Sequence, residues 1–307
     1  MRNNRSVDFV DDFKENGALY FFAKKVKEND NLELCFRGND NAVNIYCNNL
    51  LVWKIYGRSN GYKVVVSLHK SVPQIMRDKI ANDLKKEGFI SFDGKGEIHR
   101  YPWITKPIFD ECFVDKTYKI LIPMIDKYFE DGKHKEKRMQ QELFRHFDDY
   151  KKGLYIYDLE LQEKGESKKG QNLSDMIAVR FEGNEAKALT LIEVKSDRQA
   201  CADRNSGITA HLEGMWSFIN DGKKMKDKKE EAFDIITQYK TLHIRKTPDE
   251  IENIKRIDKY EMIMILTDKA IDYYKEDPKD KIKTLIKEKQ IKCEFYGWDG
   301  KRLELLR

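Results

Sequence analysis

The chain has 307 residues, 40% of them hydrophobic and 36% charged, so it can build a core while carrying more charge than the ~25% of an ordinary globular protein. Its 58 Lys and Arg against 53 Asp and Glu give net +5, which permits a polyanionic partner without demanding one, because both signs are mixed. Five scattered cysteines (Cys35, Cys47, Cys112, Cys201 and Cys293), none at metal-ligand spacing, argue against a disulfide scaffold and fit free thiols in a reducing, cytoplasmic compartment. The opening MRNNRSVDFVDDF lacks the apolar segment of a secretory signal, and runs such as MIMIL are too short to span a bilayer, so no membrane partner is expected.

Residues 8–29 read as a helix, with Phe9, Val10, Phe13, Leu19, Tyr20, Phe22, Ala23 and Val26 at helical spacing. Four strand-like runs follow, LELCFR (32–37), AVNIYC (42–47), LLVWKIY (50–56) and YKVVVSLH (62–69), separated by turn signals, which implies an antiparallel meander. A helix near 71–87 completes a small α+β domain over residues 1–115. Residues 116–307 form the second expected domain. Helical stretches at 117–132 and 134–150 lead into strands at 154–162, 174–181 and 188–195. Helices follow near 208–220 and 230–243, separated by the lysine-rich KKMKDKK. A strand at 260–268, a helix at 269–288 and a last strand at 291–298 close the chain. This order is α/β, and MIMIL, apolar at every position, suits a strand covered on both faces.

The chemistry concentrates in ALTLIEVKSD, residues 188–197. Strand alternation puts Leu189, Leu191, Glu193 and Lys195 on one face, with Glu193 and Lys195 about 6.5–7 Å apart at its end. The preceding strand, SDMIAVRF, joins it through EGNEA, a hairpin signal. A three-residue loop, Gly183-Asn184-Glu185, pairs Glu182 with Ala186 and so sets Asp175 opposite Glu193. Facing carboxylates repel unless something sits between them. A divalent cation resolves the repulsion, and a few hard oxygen ligands with room for water describe Mg²⁺. The lysine alongside can orient a water or stabilise charge on a phosphate. Glu-x-Lys also occurs at Glu166–Lys168 and Glu185–Lys187, but those copies lie in a polar loop and in the hairpin turn.

Ser174-Asp175 followed by Glu193-Val194-Lys195 resembles the PD-(D/E)XK nuclease superfamily, over roughly residues 133–298. The family's core is helix, three antiparallel strands, helix, strand. The resemblance therefore implies a restriction-endonuclease-like α-β-β-β-α-β mixed sheet, preceded here by the small α+β domain. Glu136, Met139, Gln140 and Leu143 match the "E-x-x-apolar-Q-x-x-L" pattern of many members' first helix. Ser174 stands where the motif has proline. By resemblance, Asp175, Glu193 and the Val194 carbonyl bind Mg²⁺, for which Mn²⁺ can substitute. Lys195 positions the attacking water, and Glu136 adds a further metal or water ligand. The implied activity is endonucleolytic phosphodiester hydrolysis, in DNA before RNA, in a restriction or phage-defence setting, with a homodimer compatible. The alternatives are an RNA-cleaving nuclease of the same fold and a non-catalytic nucleic-acid-binding or scaffold module.

The remaining candidates have plainer readings beside the functional ones. Gln238 and Tyr239 are adjacent, unlike the family's Gln-x-x-x-Tyr element, but with Lys240 they could line a groove. The lysine run from Lys223 to Lys229, beginning with Lys223 and Lys224, reads as a solvated loop or as a phosphate contact. Glu142, His134 and His146 read as surface residues of the helix at 134–150. His211 reads as a helix-start residue that could approach phosphate. In the first domain Arg37, Tyr46, Trp53, Lys54, Tyr56, Arg58, Tyr62 and Lys63 interleave cations and rings. A nucleic-acid-binding sheet has this pattern, and so does any half-buried sheet.

Overall fold

A computed structural model describes residues 7–37, 42–48, 50–58, 61–67, 73–88, 103–106, 108–129, 135–163, 171–202, 207–267, 269–276 and 279–306. The chain divides into two compact units. One comprises Met1–Gln141 with Thr241–Ile244, the other Glu142–Lys240 with Arg245–Arg307. Among the described residues no helix is long and apolar enough to cross a membrane.

The first unit opens with α1 (Val7–Asp11) and α2 (Tyr20–Lys27) in place of the single helix expected over 8–29. Asn16-Gly17 breaks it. Asn16 takes φ 67°, and a Cβ on Gly17 would lie 2.3 Å from the Asp12 carbonyl oxygen, so the chain can turn there only with glycine. The meander follows as β1 (Leu32–Arg37), β2 (Ala42–Cys47), β3 (Leu50–Arg58) and β4 (Gly61–Val66). After α3 (Gln74–Lys86), an unexpected fifth strand, β5 (Trp103–Lys106), pairs with β4. All five are antiparallel neighbours in chain order. One face of the sheet buries Phe36, Ile45, Trp53, Ile55 and Val64. Phe22 of α2 packs edge-on to Trp53 there, and Phe13, in the turn after α1, packs edge-on to Phe36. The boundary expected at residue 115 falls within α4 (Glu111–Phe129), and the division between the units falls inside α5 (Lys135–His146).

The second unit runs β6 (Leu154–Glu163), β7 (Gln171–Glu182), β8 (Glu185–Lys195), α6 (Arg198–Ala202), α7 (Ile208–Ile219), α8 (Gly222–Leu242), β9 (Lys259–Leu266), α9 (Lys269–Glu276), α10 (Lys279–Glu288), β10 (Cys293–Trp298) and β11 (Leu303–Leu305). Its six-stranded sheet has the order β11-β10-β9-β8-β7-β6. The β6–β7, β7–β8 and β10–β11 pairs are antiparallel, and β8–β9 and β9–β10 are parallel. The architecture is thus mixed α/β. MIMIL occupies β9, with every residue from Met262 to Leu266 buried, as a strand covered on both faces requires.

Two expectations for the second unit also need correcting. KKMKDKK is no loop; it forms the first turns of α8. Asp221 accepts hydrogen bonds from the Lys223 and Lys224 N–H groups, which caps the helix start. Met225, Ala232, Ile235, Ile236 and Tyr239 are buried at helical spacing along the same helix. The expected helix at 269–288 is two helices, α9 and α10, with 277–278 outside the described residues.

Candidate functional site

The site begins with the β7–β8 hairpin. Its loop is two residues, Gly183-Asn184, with Glu182 paired to Glu185 rather than to Ala186. Gly183 sits at φ 60°, the glycine-first pattern of a type II′ turn. One residue, Lys187, then bulges out of β8, because Phe181 pairs with Ala186 and Arg180 with Ala188. The shorter loop and the bulge cancel. From Arg180↔Ala188 to Met176↔Ile192 the pairing is the expected one, and the ladder ends there, one residue short of the expected Asp175–Glu193 pair.

Asp175 Oδ2 accepts from the Val194 backbone N–H at 2.8 Å. That N–H therefore points to the β7 side, and a strand residue's N–H and C=O point the same way. The Val194 carbonyl thus shares Asp175's side of β8, whereas the Lys195 carbonyl faces β9 and accepts from Thr267 N–H at 3.1 Å. Glu193 and Lys195 lie side by side as alternation requires. Lys195 Nζ donates to Glu193 Oε1 at 2.6 Å, with side chains only 5% and 1% exposed. A buried pair of this kind is weak evidence for stability, since desolvation offsets most of the attraction.

His211 is the residue whose place the local pattern does not reveal. It stands in the first turn of α7, which packs on the sheet. Its Nδ1 is 3.2 Å from Glu193 Oε2, and its side chain is 11% exposed. One oxygen of the buried carboxylate thus accepts from Lys195, and the other lies within ion-pair distance of a histidine from a different element. Ser174, in the motif's proline position, is buried and donates to the Met176 carbonyl at 3.2 Å.

Glu136 is half-buried on the part of α5 that belongs to the first unit, and Glu142 is exposed. His134 lies outside the described residues. His146 packs edge-on against Phe147 and Trp298, and burial together with nearby Lys152 holds its pKa below the ordinary value. Tyr239 is fully buried and donates to the Tyr157 carbonyl, so it belongs to the core and lines no groove. Lys240 Nζ is bound to the Asp249 carbonyl at 2.6 Å, and Gln238 is half-buried. Lys223 is exposed, Lys224 Nζ lies 5.6 Å from the Phe218 ring centroid, Lys228 pairs with Glu231, and Lys229 binds the Ile257 carbonyl.

Among the described residues no group of three or more His, Cys, Asp or Glu side chains gathers as a metal cluster. The expected donors are of a different kind, two carboxylates and a backbone carbonyl, with Asp175 bonded to the Val194 N–H and Glu193 to Lys195. Mg²⁺ accepts such a set, because it binds one or two carboxylates and keeps several waters. The chain matches no family model, no curated protein and no solved structure.

Proposed function

We propose that the second unit is a metal-dependent nuclease of the PD-(D/E)XK kind, hydrolysing phosphodiester bonds in DNA before RNA. The observation that supports this reading is that Asp175 bonds the Val194 N–H, so that its carboxylate lies beside the strand that carries the buried Glu193–Lys195 pair. The element order around them, helix, three strands, helices, strand, supports the same reading. A restriction or phage-defence setting fits such an activity by analogy alone.

Asp175, Glu193 and the Val194 carbonyl would hold Mg²⁺ or Mn²⁺. The metal would polarise the phosphate and lower the pKa of a bound water. Lys195 would orient the attacking water and offset charge developing on the phosphate. His211 would fix the Glu193 carboxylate from the helix side, as partners of metal ligands do.

One observation favours a competing reading. Glu193, Lys195 and Asp175 already bond to protein groups, as a purely structural strand end in a non-catalytic binding module would. The assay that decides incubates plasmid, single-stranded DNA and RNA with the protein and Mg²⁺ or Mn²⁺, beside Asp175→Ala and Lys195→Ala. Metal-dependent cutting by the wild type, reduced at least about a hundredfold in each variant, supports the nuclease. No cutting of any substrate leaves the structural reading, and equal cutting by the variants removes these residues from the site.

A further inference from the structure

Strand alternation sorts the sheet of the first unit into a core face and a face that carries most of its cations, with Cys35, Ala42 and Asn44 buried on the latter. Along β3, Trp53 and Ile55 point into the core while Lys54, Tyr56 and Arg58 alternate with them on the other face. The register places Lys63 opposite Tyr56 on one side and Ala42 on the other, with Arg37 opposite Ala42. Tyr56 is therefore surrounded: Lys54 and Arg58 two residues away along its own strand, Lys63 one strand away, Arg37 two. Lys54 Nζ lies 4.8 Å and Arg58 Cζ 5.6 Å from the Tyr56 ring centroid. Arg58 is exposed, and Tyr56, Lys54, Lys63 and Arg37 are half-buried.

Charge on this sheet is one-sided. Of the five cations on strands β1 to β5, alternation puts Arg37, Lys54, Arg58 and Lys63 on this face with the single acid, Glu33, and Lys106 on the core face opposite Tyr62. An ordinary solvated face mixes signs, as the chain as a whole does. Residues 1–141 hold 25 Lys and Arg against 20 Asp and Glu, so the chain's entire net charge of +5 lies in this stretch.

We propose that this face binds single-stranded nucleic acid, with a base stacked on Tyr56 and backbone phosphates on Arg37, Lys54, Arg58 and Lys63. Cations that track phosphates around an aromatic platform are what a single strand requires. A duplex would use the cations and leave the ring idle, because its bases are already stacked on each other. The proposal does not depend on the nuclease reading.

The test uses full-length protein carrying Asp175→Ala, in EDTA, so that no strand is cut. Fluorescence anisotropy is followed with labelled dT20, U20 and a 20-base-pair duplex over a salt series. The single strands are expected to bind more tightly than the duplex, and more weakly as salt rises. Tyr56→Ala should weaken single-strand binding about tenfold and Tyr56→Phe should leave it unchanged. Lys54→Gln with Arg58→Gln should lower the slope of log K against log salt by about 1.4, two single-strand phosphate contacts. Circular dichroism melts check that each variant folds, and the Lys54/Arg58 pair remains informative if Tyr56→Ala does not. The proposal is overturned if the wild-type face binds no single strand, if the duplex binds as tightly, or if the folded variants bind like the wild type.

Discussion

Glu193 and Lys195 carry opposite charges into a sheet end where both side chains are almost wholly buried. Removing one partner leaves the other charged and unsolvated. Glu193→Ala should therefore cost about 3–5 kcal/mol in urea unfolding, and Glu193→Met with Lys195→Met should recover most of it. Failure of the double variant to recover would mean that the pair supports stability through other contacts. His211 acts on the same carboxylate from α7. His211→Gln should weaken Mn²⁺ binding about 10–100-fold by titration calorimetry while leaving the melting temperature close to wild type. The difference between these residues explains what a sequence can reveal. Glu193 and Lys195 are two apart on a strand, so the strand period of 2 is by itself enough to put them together. His211 reaches Glu193 only through the docking of a helix on a sheet, which no local spacing encodes.

At the scale of the elements, the hairpin shows why the register as far as Met176↔Ile192 is legible although the loop is not. Composition marks EGNEA as a turn, but it does not distinguish a three-residue loop from a two-residue turn followed by a bulge at Lys187. Both place the same residues opposite each other farther along, where Leu189, Leu191 and Ile192 are buried and a one-residue slip would turn them to the wrong face. Gly183→Ala forces a side chain into φ 60° and should cost about 1–2 kcal/mol by urea unfolding. Because burial holds the register, it should leave cleavage intact. The lysines of α8 go the other way. Charge density suggests a loop, while Met225 and the good helix propensity of lysine, both present in the sequence, are the stronger signals. Across the sheet, burial pushes the Glu261 carboxyl up, but bonds from Lys259 and Arg180 outweigh it and hold the group below its ordinary value of 4.5. A depressed carboxylate stabilises the fold above its unfolded pKa, and that contribution is lost as pH falls through the folded value. Wild type should thus lose more stability than Glu261→Gln as urea unfolding is repeated at decreasing pH below about 4.5.

On the scale of the whole molecule, two folding units, each with its own sheet, follow from the two kinds of order in the chain: a meander of closely spaced strands, then strands alternating with helices. That much is visible in the sequence. The point of division is less so, because α4 and α5 read as a continuous helical lead-in and nothing in their composition marks where one core ends. The sequence motif and the geometry around it meet in one claim, that the ends of β7 and β8 form a metal site. The direct measurement is an anomalous difference map from crystals soaked in Mn²⁺. A metal site there requires a peak about 2.0–2.2 Å from carboxylate oxygens of Asp175 and Glu193 and from the Val194 carbonyl oxygen. Unchanged Glu193–Lys195 and Asp175–Val194 bonds with no peak between the two strands would rule it out.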